Sequence, residues 1–413
     1  MSAVWHPFFQ HALEPPPIAI ARTEGAWLEA ADGSRLIDAI SSWWVVTHGH
    51  RHPAIMAAIR AASEALDQVI FAGFTHAPAE ALAAALAGLT GLPHAFFSDS
   101  GSTAVEVALK MALGTARNRG ENRTRLVVMA HSYHGDTVGA MSVGARGVFN
   151  APYAPLLFDV ATIPFPAAGA EQASCDALEA AVRDGAAAAF IVEPLVLGAG
   201  GMLMYPPRLL AELHRICRAH GTLFIADEVM TGWGRTGTLF ACEQAGVVPD
   251  LLCLSKGLTN GALPLAVTMA SAEVFAAHYS RDRARTFWHS SSYTANPIAC
   301  AAGLANVRLW QEEPVRERVT ALAAAQTRAL ARLAGDARFT DLRQTGTITA
   351  MTIPGPEQGY LAEIGCDLRA AALARGVLLR PMGDCLYVLP PYCLTEAELA
   401  RVYDVILEIV PPR

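Results

Sequence analysis

Between residues 94 and 271 the chain alternates short, unbroken apolar runs with longer amphipathic segments, and few architectures accept that pattern. The runs are HAFFSDS (94–100), RLVVMA (125–130), FDVATI (158–163), AAFIVEP (188–194), TLFIADE (222–228), LLCLSK (251–256) and LAVTMA (265–270). A strand covered on both faces reads as a continuous apolar run instead of an alternating one. Helix-like segments follow most of the runs, among them 103–118 and 207–219. The pattern therefore predicts an α/β domain around a mostly parallel sheet with helices on both faces. Segments 299–309 and 315–333 then carry helical periodicity. The last hundred residues mix short strands (ITAMTI, CLYVLP) with helices over 366–375 and 396–409, which reads as a smaller α+β domain. The first fifty residues are extended segments with turns that can join it. The expected division is 50–310 for the large domain, with 1–49 and 311–413 forming the small one.

Composition removes several function classes. The chain has 413 residues, with 31 Lys+Arg against 38 Asp+Glu, a net charge of −7. It lacks the basic excess that neutralises nucleic-acid phosphates. Hydrophobic residues make up 53% and charged residues 17%, a balance that excludes disorder. The apolar, uncharged stretch 81–98 is interrupted by Gly88, Gly91, Pro93 and His94, which makes a poor membrane span. Eight cysteines lie scattered without a C-x-x-C pair, as small buried hydrophobes do in a reducing compartment. MSAVWHPFF at the start has neither a basic n-region nor an apolar h-region. A soluble cytoplasmic protein is expected.

Open α/β sheets place their ligands at strand ends, and the chemistry-bearing residues cluster there. LSKG puts Lys256 at the end of an apolar strand, where desolvation lowers an amine's pKa and frees it to form a Schiff base. TLFIADE delivers Asp227 at the end of the preceding strand, 29 residues earlier and on the same sheet edge. A carboxylate buried there needs a partner, either a protonated pyridine nitrogen or magnesium. No G-x-x-x-x-G-K-[ST] loop supports the magnesium reading. SDSGSTAVEVALKMA (98–112) reads as strand end, tight turn and helix start, with Gly101 and Ser102 at an anion-binding helix terminus and Thr103 with Glu106 as a capping box. HSYHGDT offers Tyr133, His134 and Asp136, with an aromatic ring able to stack on a flat cofactor. In SSWWVV, adjacent tryptophans of a strand would face opposite ways, so one ring could line a pocket. FWHSSSYTANP gathers Ser290, Ser291 and Ser292. Arg380, at the end of LLR, is a candidate clamp for a carboxylate. HGHRH (48–52) superficially resembles a metal cluster, but three imidazoles with no cysteine or acidic neighbour make a weak zinc case, and no metal is expected. Taken singly, each feature has an ordinary structural explanation; the combination is what is specific.

That combination resembles the class III (subgroup II) aminotransferases, fold type I enzymes that use pyridoxal 5′-phosphate. The likeness rests on WHPF (5–8), SSWW (41–44), FAGFTHAPA (71–79), SDSGSTAVEVALKMAL (98–113), YHGDTVGAMSV (133–143), GAGGMLMY (198–205), GWGRTG (232–237), ANPIACAA (295–302) and LPPY (389–392), in the family's order over nearly the whole chain. It implies a large domain with a mostly parallel seven-stranded sheet, and a homodimer with active sites at the subunit interface. Lys256 would carry the cofactor, and Asp227 would pair with its ring nitrogen. Gly101 and Ser102 would hold its phosphate, with Ser291 and Ser292 of the partner subunit reaching the same group. Tyr133 and Val229 would cover the two ring faces. Phe8 and Trp43 would line the substrate tunnel, Ser290 would offer a backbone contact, and Arg380 would hold a substrate carboxylate. Asp136 and Arg235 would recognise substrate or support those that do.

Within the class the motifs point to the biotin-pathway branch. That implies transfer of an amino group from S-adenosylmethionine to 8-amino-7-oxononanoate, giving 7,8-diaminononanoate. Lysine as donor, or an ω-amino acid–pyruvate exchange, are the alternatives. A catalytically silent relative is disfavoured because Lys256, Asp227 and the phosphate-site residues are all present. A dinucleotide-dependent oxidoreductase is disfavoured because G-x-G-x-x-G is absent from the helix start at 101. Three positions depart from the family. Met230 stands where the broad class often has glutamine, Phe8 where some biotin-pathway members have tyrosine, and His-Ser-Ser-Ser (289–292) where His-Gly-Pro-Thr is common.

Overall fold

The computed structural model describes residues 3–412. Three antiparallel strands open the fold: β1 (Ile20–Glu24), β2 (Trp27–Ala30) and β3 (Arg35–Asp38). The apolar runs then become β4 (His94–Ser98), β5 (Arg125–Met129), β6 (Ala161–Ile163) and β7 (Ala187–Val192). A short ribbon follows, β8 (Val196–Leu197) with β9 (Leu203–Met204), and then β10 (Leu223–Asp227), β11 (Leu251–Leu254) and β12 (Ala266–Ala270). Apart from the ribbon, these form one seven-stranded sheet ordered β4-β12-β11-β10-β7-β5-β6. Only β12 runs against its neighbours. Its link from β11 is the short segment 255–265, and parallel crossovers need a dozen or more residues, usually with a helix.

Period-2 geometry divides the sheet between two cores. Met129, Phe190, Phe224 and Leu252 face one layer, where they meet Leu210 and Leu213 of helix Pro207–Ala219. Val128, Ile191, Ile225 and Cys253 face the other, where they meet Val105 and Ala108 of helix Gly101–Arg119. All of these are at most 3% exposed. Each fully buried Leu, Ile or Phe side chain contributes about 1.5–3 kcal/mol relative to exposure, so continuous apolar runs are what this double-sided burial selects.

Past two helices, Pro297–Glu312 and Val315–Ala331, the chain forms β13 (Thr340–Thr345), β14 (Ile348–Thr352), β15 (Val377–Leu378) and β16 (Cys385–Val388). Strands β13, β14 and β16 make an antiparallel sheet. Strand β15 crosses back to lie parallel to β3, with Val377 opposite Ile37, so N- and C-terminal strands share one sheet. Among the described residues, no helix is long and apolar enough to cross a membrane.

Two local expectations are corrected. Helix Gly101–Arg119 is capped by Ser100, not Thr103: the Ser100 hydroxyl accepts from Thr103 N while Thr103 Oγ1 accepts from Ser100 N. Glu106 is thereby free to accept from Gly139 N (2.8 Å) and Ala140 N (3.3 Å) across the layer. Nor do the paired tryptophans lie on a strand. Ser41, Ser42 and Trp44 all take positive φ (55°, 57° and 63°) in a tight bend. For non-glycine residues such backbone costs about 1–3 kcal/mol each, and it collects at functional sites where the surroundings enforce it. Asp38 enforces it from one side, accepting from Ile40 N and Ser42 N, while Ser41 Oγ donates to Leu389 O.

Candidate active site

Five loops leave the carboxyl ends of β4, β5, β7, β10 and β11, and all of them line one cavity. They bring Gly101 and Ser102, then Tyr133, His134 and Gly135, then Glu193, then Asp227, Val229 and Met230, and finally Lys256. The remaining wall comes from Phe8, the Ser42–Trp44 bend, Phe149, Tyr360, Arg380, Met382 and Tyr387.

Lys256 begins a short 3-10 turn just beyond β11, with φ +44°. Its ammonium nitrogen lies 4.7 Å from the ring centroid of Trp44. Burial lowers its pKa to about 8, against the opposing pull of Asp227 and Glu193. At neutral pH an appreciable fraction of that amine is therefore a free nucleophile. Asp227 is 5% exposed. Its Oδ2 lies 2.7 Å from His134 Nδ1, and its Oδ1 accepts from Val229 N at 3.1 Å.

The turn after β5 is fixed from two sides. Glu193 accepts from Tyr133 N (2.9 Å) through Oε1 and from Gly198 N (2.9 Å) through Oε2, joining the turn after β5 to the ribbon that follows β7. Burial, with Asp227 nearby, raises the Glu193 pKa to about 7. Burial and the Asp136 carboxylate push the Tyr133 phenol well up. On the other side, Ser102 Oγ accepts from Asp136 N at 3.3 Å. Gly135 sits so near that a Cβ built on it would lie 2.0 Å from Ser102 Oγ. Gly101 is equally constrained: a Cβ there would lie 2.7 Å from Val229 Cγ1. The free N–H groups of this helix start thus stand open to an anion.

Across the cavity the Arg380 guanidinium lies 4.8 Å from the Trp43 ring centroid, and Phe8 packs at 5.6 Å from the same ring. Trp43 is 42% exposed, whereas Trp44 is buried and donates through Nε1 to Tyr387 OH (3.0 Å). Of the residues singled out in the sequence, Phe8, Trp43, Gly101, Ser102, Tyr133, Asp227, Val229, Lys256 and Arg380 converge on this cavity. Ser290, Ser291 and Ser292 lie outside it. Within this chain the Ser291 hydroxyl donates to Asp99, and Ser292 O accepts from Gln68. Arg235 also lies outside. It is 1% exposed and donates to the carbonyls of Pro390, Trp44 and Val46, holding the tryptophan bend from beneath. The imidazoles of HGHRH take separate polar partners: His48 bonds Asn306, His50 bonds Asp38, and His52 faces Glu313. Glu193, Phe149 and Tyr360 are cavity residues that the sequence reading did not single out.

A buried lysine with a lowered pKa, a buried carboxylate held at both oxygens, a helix start open to an anion and an aromatic wall fit pyridoxal phosphate group by group. They define a pyridoxal-phosphate-dependent transferase on an α/β sheet. Comparison with known proteins narrows the class. The Aminotransferase class-III family profile matches residues 8–410. Adenosylmethionine-8-amino-7-oxononanoate aminotransferase of Synechococcus elongatus is 48% identical over 417 residues, covering 98% of each chain. The enzyme of the same name from Nitratidesulfovibrio vulgaris is 39% identical over 96% of this chain and 78% of its own. Among solved structures, that from Methanocaldococcus jannaschii, again of that name, superposes with a TM-score of 0.93 at 30% identity, over 98% and 97% of the two chains. An amine transaminase from an uncultivated Pseudomonas species, in its PLP-bound form, gives the same TM-score and identity over 99% and 98%. The chain belongs to the class III aminotransferase family, and it is a pyridoxal-phosphate-dependent transaminase.

Proposed function

We propose that this enzyme moves the amino group of S-adenosylmethionine to 8-amino-7-oxononanoate, giving 7,8-diaminononanoate for biotin synthesis in two half-reactions that share one cavity. The observation that carries the reading is the cavity itself. It joins Lys256 and Asp227 to a wall of Phe8, Trp43, Tyr133 and Arg380, in a chain 48% identical along its length to a relative bearing that name. Bound pyridoxal phosphate supplies an electron sink for the carbanion formed at the substrate carbon. The protein's own residues do the rest. Lys256 Nζ accepts the proton leaving the donor's α-carbon and later returns one, as general base and then general acid. Asp227 keeps a negative charge facing the ring nitrogen. Gly101 and Ser102 hold the phosphate, and Tyr133 and Val229 confine the ring. Phe8 and Trp43 offer faces that accept an aliphatic chain, an adenine or a sulfonium. Arg380, with no carboxylate partner among the described residues, is available to a substrate carboxylate.

Ser290, Ser291 and Ser292 serve the partner subunit's cavity in a cytoplasmic homodimer. Their position outside their own cavity and the exposed Trp288 and Tyr293 beside them in the chain support this reading. The division into 50–310 and 1–49 with 311–413 is retained, supported by the pairing of β3 with β15.

The test is spectroscopic. S-Adenosylmethionine alone should bleach the visible band of the purified holoenzyme, and 8-amino-7-oxononanoate should restore it with formation of 7,8-diaminononanoate. Bleaching by lysine in its place would reassign the donor. Bleaching by β-alanine with recovery by pyruvate would replace the proposal with a general ω-transaminase. Light scattering of a monomer would remove the partner-subunit role of the three serines.

A further inference from the structure

A second cavity opens off the first. Its volume is about 1160 Å³, beside about 1040 Å³ for the cofactor cavity, ample for a nucleoside. The two share one wall, made by Tyr133, Gly135, Phe149, Ala199, Tyr360 and Met382. Phe149 is the hub of that wall. Its ring lies 4.6 Å from Tyr360, 5.8 Å from Tyr133 and 5.9 Å from Phe8, centroid to centroid and each time edge to face. The closest pair joins two parts of the fold: Phe149 comes from the loop beyond helix Val138–Ser142, and Tyr360 from the irregular segment that follows β14. An edge-to-face pair of half-buried rings is a weak contact, so a ligand can part it.

The two cavities differ in charge. Arg380 lines the first and not the second, whereas Asp136 and Asp384 line the second and not the first. The guanidiniums of the second cavity are already engaged. Arg146 donates to the carbonyls of Met141, Ser142, Gly144 and Phe158, and Arg343 to those of Gly201 and Met202 and to Asp341. Asp384 accepts from Gly359 N through Oδ1 (3.0 Å), and its Oδ2 has no partner among the described residues. The two substrates ask for these two environments. In S-adenosylmethionine the carboxylate sits on the reacting carbon, and what extends beyond is a sulfonium cation and a neutral nucleoside. In 8-amino-7-oxononanoate an aliphatic chain extends instead and ends in a carboxylate. A guanidinium suits the second extension and repels the sulfonium; a carboxylate suits ribose hydroxyls and repels the acceptor's carboxylate.

We propose that the second cavity is the subsite for the donor's nucleoside, entered between Phe149 and Tyr360, with the Tyr360 ring against the adenine and Asp384 Oδ2 accepting from the ribose hydroxyls. The inference rests on the donor assignment given above.

The two half-reactions separate the substrates. Stopped flow follows the loss of the holoenzyme's visible band with S-adenosylmethionine, and its return when 8-amino-7-oxononanoate meets the bleached enzyme. The concentration dependence gives an apparent dissociation constant for each. Asp384→Asn keeps an acceptor for Gly359 N but turns an amide N–H toward the ribose. It is expected to weaken S-adenosylmethionine about tenfold, the effect of one hydrogen bond to a charged group, and to leave 8-amino-7-oxononanoate unchanged. Tyr360→Ala should act in the same direction on the donor alone. A shift of both substrates, of neither, or of the acceptor alone overturns the proposal. Should a variant fail to fold, adenosine is the probe for the wild-type holoenzyme. It should compete with S-adenosylmethionine and spare the second half-reaction, and 2′,3′-dideoxyadenosine should compete about tenfold more weakly. Equal inhibition of both half-reactions, equal potency of the two nucleosides, or no inhibition refutes the subsite. If S-adenosylmethionine leaves the wild-type band intact while another donor bleaches it, the donor assignment falls and takes the subsite with it. If it bleaches the wild type and both variants alike, only the subsite falls.

Discussion

Lys256 is a group whose charge the fold opposes, and the cost is measurable without any substrate. Burial brings its pKa from the ordinary 10.5 to about 8, with Asp227 and Glu193 working the other way. Between those two values the unfolded chain holds a proton that the native, cofactor-free chain has released. Unfolding then takes up a proton, so native stability rises with pH across this window and is lowest, for this group, below about pH 8. At about 1.36 kcal/mol per pH unit, the full step amounts to roughly 3 kcal/mol. Because Lys256 borders the open cavity, that figure is the upper end after solvent screening. The perturbation is Lys256→Met, which removes the titrating amine while keeping an unbranched side chain. Urea unfolding of both cofactor-free proteins, from about pH 7.5 to 10.5, should find the variant more stable at the low end, with the advantage shrinking by up to about 3 kcal/mol as pH rises. In parallel, the rate at which the wild-type apoenzyme captures pyridoxal phosphate should climb with a midpoint near 8, since only the neutral amine reacts. A capture midpoint near 10.5, together with a pH-independent stability difference, would refute the claim that burial deprotonates this lysine.

The other predictions concern the scaffold around it. Gly135→Ala forces a side chain onto a φ of +125° and against Ser102, so it should cost about 2–6 kcal/mol from backbone strain and overpacking together; adding Ser102→Gly should recover part of this in urea unfolding but not cofactor affinity. Arg235→Leu strands the carbonyls of Pro390 and Val46 and releases the tryptophan bend, for an expected loss of about 2–5 kcal/mol, with a rise in KM for both substrates as the kinetic sign. Arg380→Lys keeps the charge but loses the planar fork, and should raise KM for 8-amino-7-oxononanoate by about tenfold with little change in the fold's melting temperature. Glu193→Gln leaves either Tyr133 N or Gly198 N facing an amide N–H, and should weaken pyridoxal phosphate binding by about tenfold, read by fluorescence titration.

What could be read from the sequence divides along a physical line. The seven-stranded sheet was legible because burial on both faces writes itself locally, as runs such as AAFIVEP and LLCLSK that need no knowledge of their neighbours. Lys256 and Asp227 were legible for a related reason: strand ends of a parallel sheet share an edge whatever the order of the strands. Where a local signal had two solutions, the sequence misled. Thr103 and Glu106 satisfy the spacing of a capping box, but Ser100 stands one turn earlier and the helix starts where its backbone can open. The tryptophan pair looked like a strand because β-propensity is local, while the three left-handed residues of the bend are enforced by nearby Asp38 together with Leu389 and Arg235 from remote parts of the chain. For Arg235 the resemblance left two roles open, recognising substrate or supporting the residues that do; the fold places it with the second, because three backbone carbonyls around the tryptophan bend accept from its guanidinium. Glu193 shows the limit most clearly. A glutamate after an apolar strand carries no mark of its role, since its two acceptor contacts reach residues 60 and 5 positions away. Only the folded geometry, which brings the ends of β5 and β7 together beside one cavity, turns that carboxylate into the clamp between the turn after β5 and the ribbon after β7.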